Sequence, residues 1–137
     1  MDEPINLVLF SGTDDRLQAA AVLAAGAAAL GKPVNIFLQY WALDSFRADR
    51  ISRDHGLAPE AGAGGRDAVD ALRNAGQASW ADTLRQAKEL GGVDIQACSL
   101  SMDLLGLDES DLDSLVDGVE GVTAFYLNAG EGQLVFI

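Results

Sequence analysis

The 137 residues contain a single cysteine, Cys98, so no internal disulfide can form and nothing in the chain calls for an oxidising compartment. His55 is the only histidine, which leaves a transition-metal site short of its usual donors; neither a metal nor a cofactor is expected. No apolar run approaches the thickness of a bilayer. Met1-Asp2-Glu3-Pro4 has neither the basic nor the apolar region of a secretory signal, so the expectation is a cytoplasmic protein with no membrane contact. Bases are scarce as well: nine Lys and Arg face 21 Asp and Glu, a formal net charge of −12 that argues against binding nucleic acid or anionic lipid directly. The scarcity is uneven. No base follows Lys88, whereas residues 89–137 hold ten acids, so any cation that assists Cys98 must come from earlier in the chain. Asp108, Glu109, Asp111, Asp113, Asp117 and Glu120 read most simply as a solvated face, with a docking surface for a basic partner as the alternative.

What is present is a regular alternation of strands and helices. Ile5 to Phe10 is almost wholly apolar, as a strand covered on both faces requires, and is expected as the first, central strand. Ser11-Gly12-Thr13-Asp14-Asp15 is a turn with capping residues, and Leu17 to Leu30 an alanine-rich helix closed by Gly31. The small residues Ala20, Ala21, Ala24, Ala27 and Ala28 suit close packing. The Gly12 turn lacks the spacing of a phosphate loop, so its glycine is explained by geometry before a nucleotide. Val34 to Leu38 is the second strand. Arg47, Arg50 and Arg53, spaced by three, would form a basic stripe on a helix, or else pair with Asp44, Asp49 and Asp54. Trp41 is a core anchor or a lid over the thiol.

Residues 56–76 turn to Ala, Gly and scattered charge, where a mobile loop belongs, interrupted by a weak helix over about 66–74. Ser79 caps a helix through Trp80, Leu84, Ala87 and Leu90. Val93, Ile95 and Ala97 alternate with Asp94 and Gln96 as a strand ending at Cys98; the serines after it and Met102 to Leu107 lead into a short helix, and Ser110 to Val116 into an acidic one. A short strand at 118–122, a helix through Ala124, Phe125 and Leu127, and a strand at 133–137 complete one domain. The pattern is that of an α/β layered sheet with right-handed crossovers.

Cys98 thus stands at a strand-to-helix turn, on the sheet edge where ligands collect, with Asp94 and Asp103 nearby to oppose a thiolate unless Arg47, Arg50 or Arg53 compensates. With no second cysteine, a dithiol cycle is excluded, and a thiol–imidazole pair would rest on His55. A lone thiol can carry a sulfane sulfur as a persulfide; an inert buried thiol is the simpler reading from chemistry alone.

The stretch from Val34 through Trp41 to Leu43, together with Val93 through Cys98 to Met102 and the Leu104-Leu105-Gly106-Leu107 that follows, resembles the DsrE/DsrF/TusD-like (DsrEFH-like) family, in the branch often labelled peroxiredoxin-like. That resemblance spans Leu7 to Ile137. It implies a three-layer α/β/α sandwich on a five-stranded, mostly parallel sheet, a homotrimer or homohexamer, and sulfur transfer between donor and acceptor proteins through Cys98. Ser99, Ser101, Trp41, Arg47, Arg50 and Gly12 are then expected to surround the persulfide. The peroxiredoxin label has no support in the residues around Cys98. Some members lack the cysteine and serve only in assembly, which makes a non-catalytic assembly or docking subunit the alternative. Ala42 stands where the branch commonly has Gly, and Leu38 and Gln39 where it has aromatics.

Overall fold

The computed structural model describes residues 3–137. Five strands, β1 (Ile5–Leu9), β2 (Val34–Leu38), β3 (Val93–Cys98), β4 (Gly118–Glu120) and β5 (Leu134–Phe136), form one sheet in the order β4-β3-β2-β1-β5. All four pairings are parallel. The centre belongs to β2, and β1, expected there, sits beside it, because β3 and β4 both add beyond β2 while only β5 adds beyond β1.

Among the described residues six α-helices connect and cover the strands: α1 (Asp14–Ala29), α2 (Tyr40–Ser45), α3 (Gly62–Asn74), α4 (Trp80–Leu90), α5 (Ser99–Leu105) and α6 (Val122–Ala129). Period-two alternation sends Leu7, Leu9, Val34, Ile36, Leu38, Ile95 and Ala97 to one face, where α1 and α4 complete the main core. The alanine stripe of α1 is buried there, and its small side chains let α1 lie close against α4. The other face carries Val8, Phe37 and Cys98 beneath Phe125 of α6, a far smaller cluster. Helices fall on both faces because the chain steps from β1 to β2 to β3 to β4 in one direction and then returns across the sheet to β5; crossovers of one hand put the returning helix on the opposite side.

Three expected elements change. Arg47 to Arg53 is not helical but a run of turns: Arg47 bridges Leu112, the Ala48 N–H donates to the Asp111 carbonyl, and the Asp113 N–H donates to that of Phe46. Those bonds to the β3–β4 connection replace helical ones. They also hold residues 110–116 as a 3-10 turn (Glu109–Asp111) and extended chain where an acidic helix was expected. Conversely, helix α3 begins at Gly62, so the Gly62-Ala63-Gly64-Gly65 run, expected in a loop, forms its first turn behind a 3-10 turn at Pro59–Ala61.

Candidate functional site

Cys98 is the last residue of β3, and α5 starts at the next residue. Its side chain shares a face with Asp94 and Gln96, opposite to Ile95 and Ala97, which enter the main core. The thiol is free and 5% exposed, packed with Val8, Phe37 and Phe125. Phe125 stacks on Phe37 with ring centroids 4.8 Å apart and planes 17° from parallel, so α6 roofs the cysteine. The C-terminal end of that roof is tied down by amides. Asn6 donates from Nδ2 to the Ala129 and Gln133 carbonyls (3.2 and 3.1 Å), and Asn35 donates to the Asn128 carbonyl (3.2 Å) and to Asn6 Oδ1 (3.0 Å). The N-terminal half of α6, over Cys98, has no comparable polar tether to these strands among the described residues.

Charge on this face is negative. Glu120 is the β4 partner of Cys98 in the sheet register, and Asp94 lies four residues back on the same face of β3. Burial, and then the charge of Asp94, raises the Glu120 pKa above its usual value against an opposing hydrogen bond from Asn128.

Arg47 and Arg50 are engaged elsewhere. Arg47 bridges Asp44 (3.3 Å) and Asp49 (3.1 Å), and Arg50 pairs with the other oxygen of Asp44 (3.2 Å). None of their hydrogen bonds or ion pairs involves Cys98, Glu120 or the apolar neighbours of the thiol. Pairing with Asp44 and Asp49, one of the two arrangements open from spacing alone, is the one formed, while Asp54 takes Arg66 instead of an arginine of the run. Arg53 lines a cavity described below.

Trp41 is 56% exposed on α2 with its ring 6.0 Å from that of Tyr40, so it is not a core anchor. That position is filled by Trp80, which packs on Phe46 at 5.0 Å between ring centres. Ser101 is fully buried, and its Oγ accepts the Tyr40 N–H (3.1 Å). Tyr40 has φ of +44°, a left-handed conformation that costs a non-glycine residue on the order of 1–2 kcal/mol, and the Ser101 bond helps to fix it. Because Leu38 and Ala97 are register partners, the turns after β2 and β3 lie side by side, which brings α2 and α5 together. Gly12 serves the same edge: a Cβ there would overlap the Trp41 carbonyl and Ser45 Oγ, and Ser45 Oγ donates to the Gly12 carbonyl (2.9 Å). Ser99 is exposed, with its Oγ near Gly121 at the start of α6. The candidate residues thus divide: Gly12, Trp41 and Ser101 build the junction of the turns, Ser99 flanks the roof, and Cys98 lies beneath it.

Sequence reasoning passed over Phe125 and Glu120 as neighbours of the thiol. Phe125 lay inside a recognisable helix, but no local pattern says which strand that helix covers; the β4 register likewise appears only in the sheet. Among the described residues no group of three or more His, Cys, Asp or Glu side chains converges as a metal ion would require. No helix among them is long and apolar enough to cross a membrane.

Comparison with known proteins agrees with this architecture. The chain is 30% identical to the YrkE protein of Bacillus subtilis strain 168 over a 149-residue alignment covering 93% of this chain and 92% of that one. Among solved structures it resembles MTH1491 of Methanobacterium thermoautotrophicum, with a TM-score of 0.61 and 16% identity over 99% of this chain and 100% of that one. YchN of E. coli matches with a TM-score of 0.58 and 12% identity over all of both chains. Both structures are DsrE-like folds, and at these identities they speak to fold alone. The profile of the DsrE/DsrF/DrsH-like family matches residues 1–63 and 56–137, and the chain belongs to that family, which is associated with sulfur relay.

Proposed function

We propose that this protein is a sulfur carrier of the cytoplasm that accepts sulfane sulfur on Cys98 from one protein and passes it to another. The observation that carries the reading is the position of the only thiol, at the carboxyl end of an inner parallel strand, in a family associated with sulfur relay. The Cys98 thiolate attacks the outer sulfur of a donor persulfide; a new S–S bond forms at Cys98, and the donor leaves as a thiolate. An acceptor thiolate then attacks the outer sulfur of the Cys98 persulfide and restores the Cys98 thiolate. No net oxidation occurs and no cofactor is needed. Access requires the N-terminal half of α6 to lift Phe125 away. Tyr126, Leu127, Leu134 and Phe136 are exposed on α6 and β5, which supports self-association, for which a homotrimer or homohexamer is the proposed form.

A second reading, a subunit for assembly or docking whose cysteine stays unreactive, draws on one observation: the thiol is 5% exposed, with the Glu120 carboxylate on the neighbouring strand while Arg47 and Arg50 pair with Asp44 and Asp49. Intact mass after incubation with a sulfane-sulfur donor separates the two. A gain of about 32 Da that reductant removes, and that Cys98→Ser abolishes, supports the carrier. Refusal of both sulfur and an alkylating agent by the folded protein supports the subunit. Sizing in solution gives the oligomer number.

A further inference from the structure

A cavity of about 610 Å³, within the range of small-molecule sites, opens between α1, α3, α4 and the turns at 51–54, away from Cys98. One wall is α3, an unusual helix. It opens with three glycines in four residues and has no buried residue, although Val69 and Leu72 give it an apolar stripe that faces the cavity. Thirteen residues of such composition are marginal as an isolated helix, and helices in proteins are ordinarily held by packing an apolar face. The floor is preorganised. Asp14, 6% exposed, accepts hydrogen bonds from Trp80 Nε1–H (3.0 Å) and the His55 N–H (3.0 Å), and Arg73 of α3 reaches it at 3.5 Å.

Most charges lining the cavity are already satisfied. Asp15 accepts from the Ala58 and Arg16 amides, Asp54 from the Gly56 amide and Arg66, and Arg85 pairs with Asp113. Two are left without a partner among the described residues: Arg53 on the turn and Asp82 in the first turn of α4. We infer that this cavity binds a small organic anion with an apolar body, its charge on Arg53 and its body against Val69 and Leu72, and that the bound molecule completes the packing of α3. Asp82 sets the far limit, because a second negative charge is repelled there.

Sodium octanoate is a suitable probe and octylammonium chloride its control. The readout is the indole N–H resonance of Trp80, told apart from that of Trp41 by Trp41→Phe. Octanoate is expected to shift it saturably at one molecule per chain and to slow amide exchange in α3, while octylammonium at equal concentration leaves it in place. Arg53→Gln weakens octanoate binding about tenfold and Asp82→Asn strengthens it severalfold, opposite effects that a folding defect cannot produce. The inference is overturned if the Trp80 indole does not respond to octanoate, if octylammonium binds equally well, or if Arg53→Gln binds as tightly as the parent. Cys98 lies outside the cavity, so none of these results bears on sulfur transfer.

Discussion

Phe125→Ala tests whether Cys98 is sealed by α6 alone. Phe125 is 1% exposed and stacked on Phe37. Burial of a Phe side chain contributes about 1.5–3 kcal/mol and an aromatic pair about 0.5–1.5 kcal/mol more, so roughly 3 kcal/mol of what holds α6 on the sheet is lost on truncation. The main core lies on the opposite face and is untouched, so the chain stays folded while α6 opens more often. At about 1.4 kcal/mol per decade, labelling of Cys98 by a disulfide reagent should accelerate by about a hundredfold. Leu84→Ala is the control. Leu84 is buried in the main core, and its loss costs about 2–5 kcal/mol of global stability without touching α6. The assay is the labelling rate of the native protein across low urea concentrations, alongside equilibrium unfolding. Local opening predicts a fast, weakly urea-dependent rate in Phe125→Ala and little change in Leu84→Ala. Equal acceleration in both would refute the roof, since access would then need global unfolding. So would parent protein that labels as fast as an unfolded chain.

Three further perturbations probe the edge around the thiol. Ser101→Ala leaves the half-buried Tyr40 N–H without its acceptor and should cost about 1–2 kcal/mol in urea unfolding; Ser101→Thr, if its methyl is accommodated, should recover part of it. Gly12→Ala pushes a methyl into the Trp41 carbonyl and Ser45 Oγ and should lower stability by about 1–3 kcal/mol, read as a drop in the urea midpoint. Glu120 has a folded pKa raised above its unfolded value, so the proton is held more tightly in the folded chain. Its contribution is therefore full below the unfolded pKa and lost as pH rises through the folded one. Glu120→Gln should accordingly be more favourable, relative to the parent, near pH 7 than near pH 4; equal differences at the two pH values would contradict the burial of that carboxyl.

The succession of strands along the chain, the capping of α4 by Ser79 and the place of Cys98 at the end of β3 could all be read from the sequence. Each rests on local rules: period-two alternation in Val93 to Cys98, a serine whose Oγ accepts the Asp82 N–H, and a glycine at the helix stop. The arginine run shows where such rules end. Spacing by three suits a helix, yet the segment trades helical bonds for Leu112, Asp111 and Asp113 some sixty residues away, and its guanidiniums go to Asp44 and Asp49. The acidic segment 110–116 loses its helix to the same partners.

Trp41 was ambiguous by type, a core anchor or a lid, and only the packed structure decided that it faces water while Trp80 is buried against Phe46. By itself the sequence determined an alternating α/β chain with one thiol at a strand-to-helix turn, because strand periodicity and a lone cysteine are properties of neighbouring residues. The tertiary structure decided that Phe125 covers that thiol, that Glu120 stands beside it, and that Arg53 faces a cavity instead. Those are contacts between segments far apart in the chain, fixed by strand order and by the direction of the final crossover, and no local pattern encodes either.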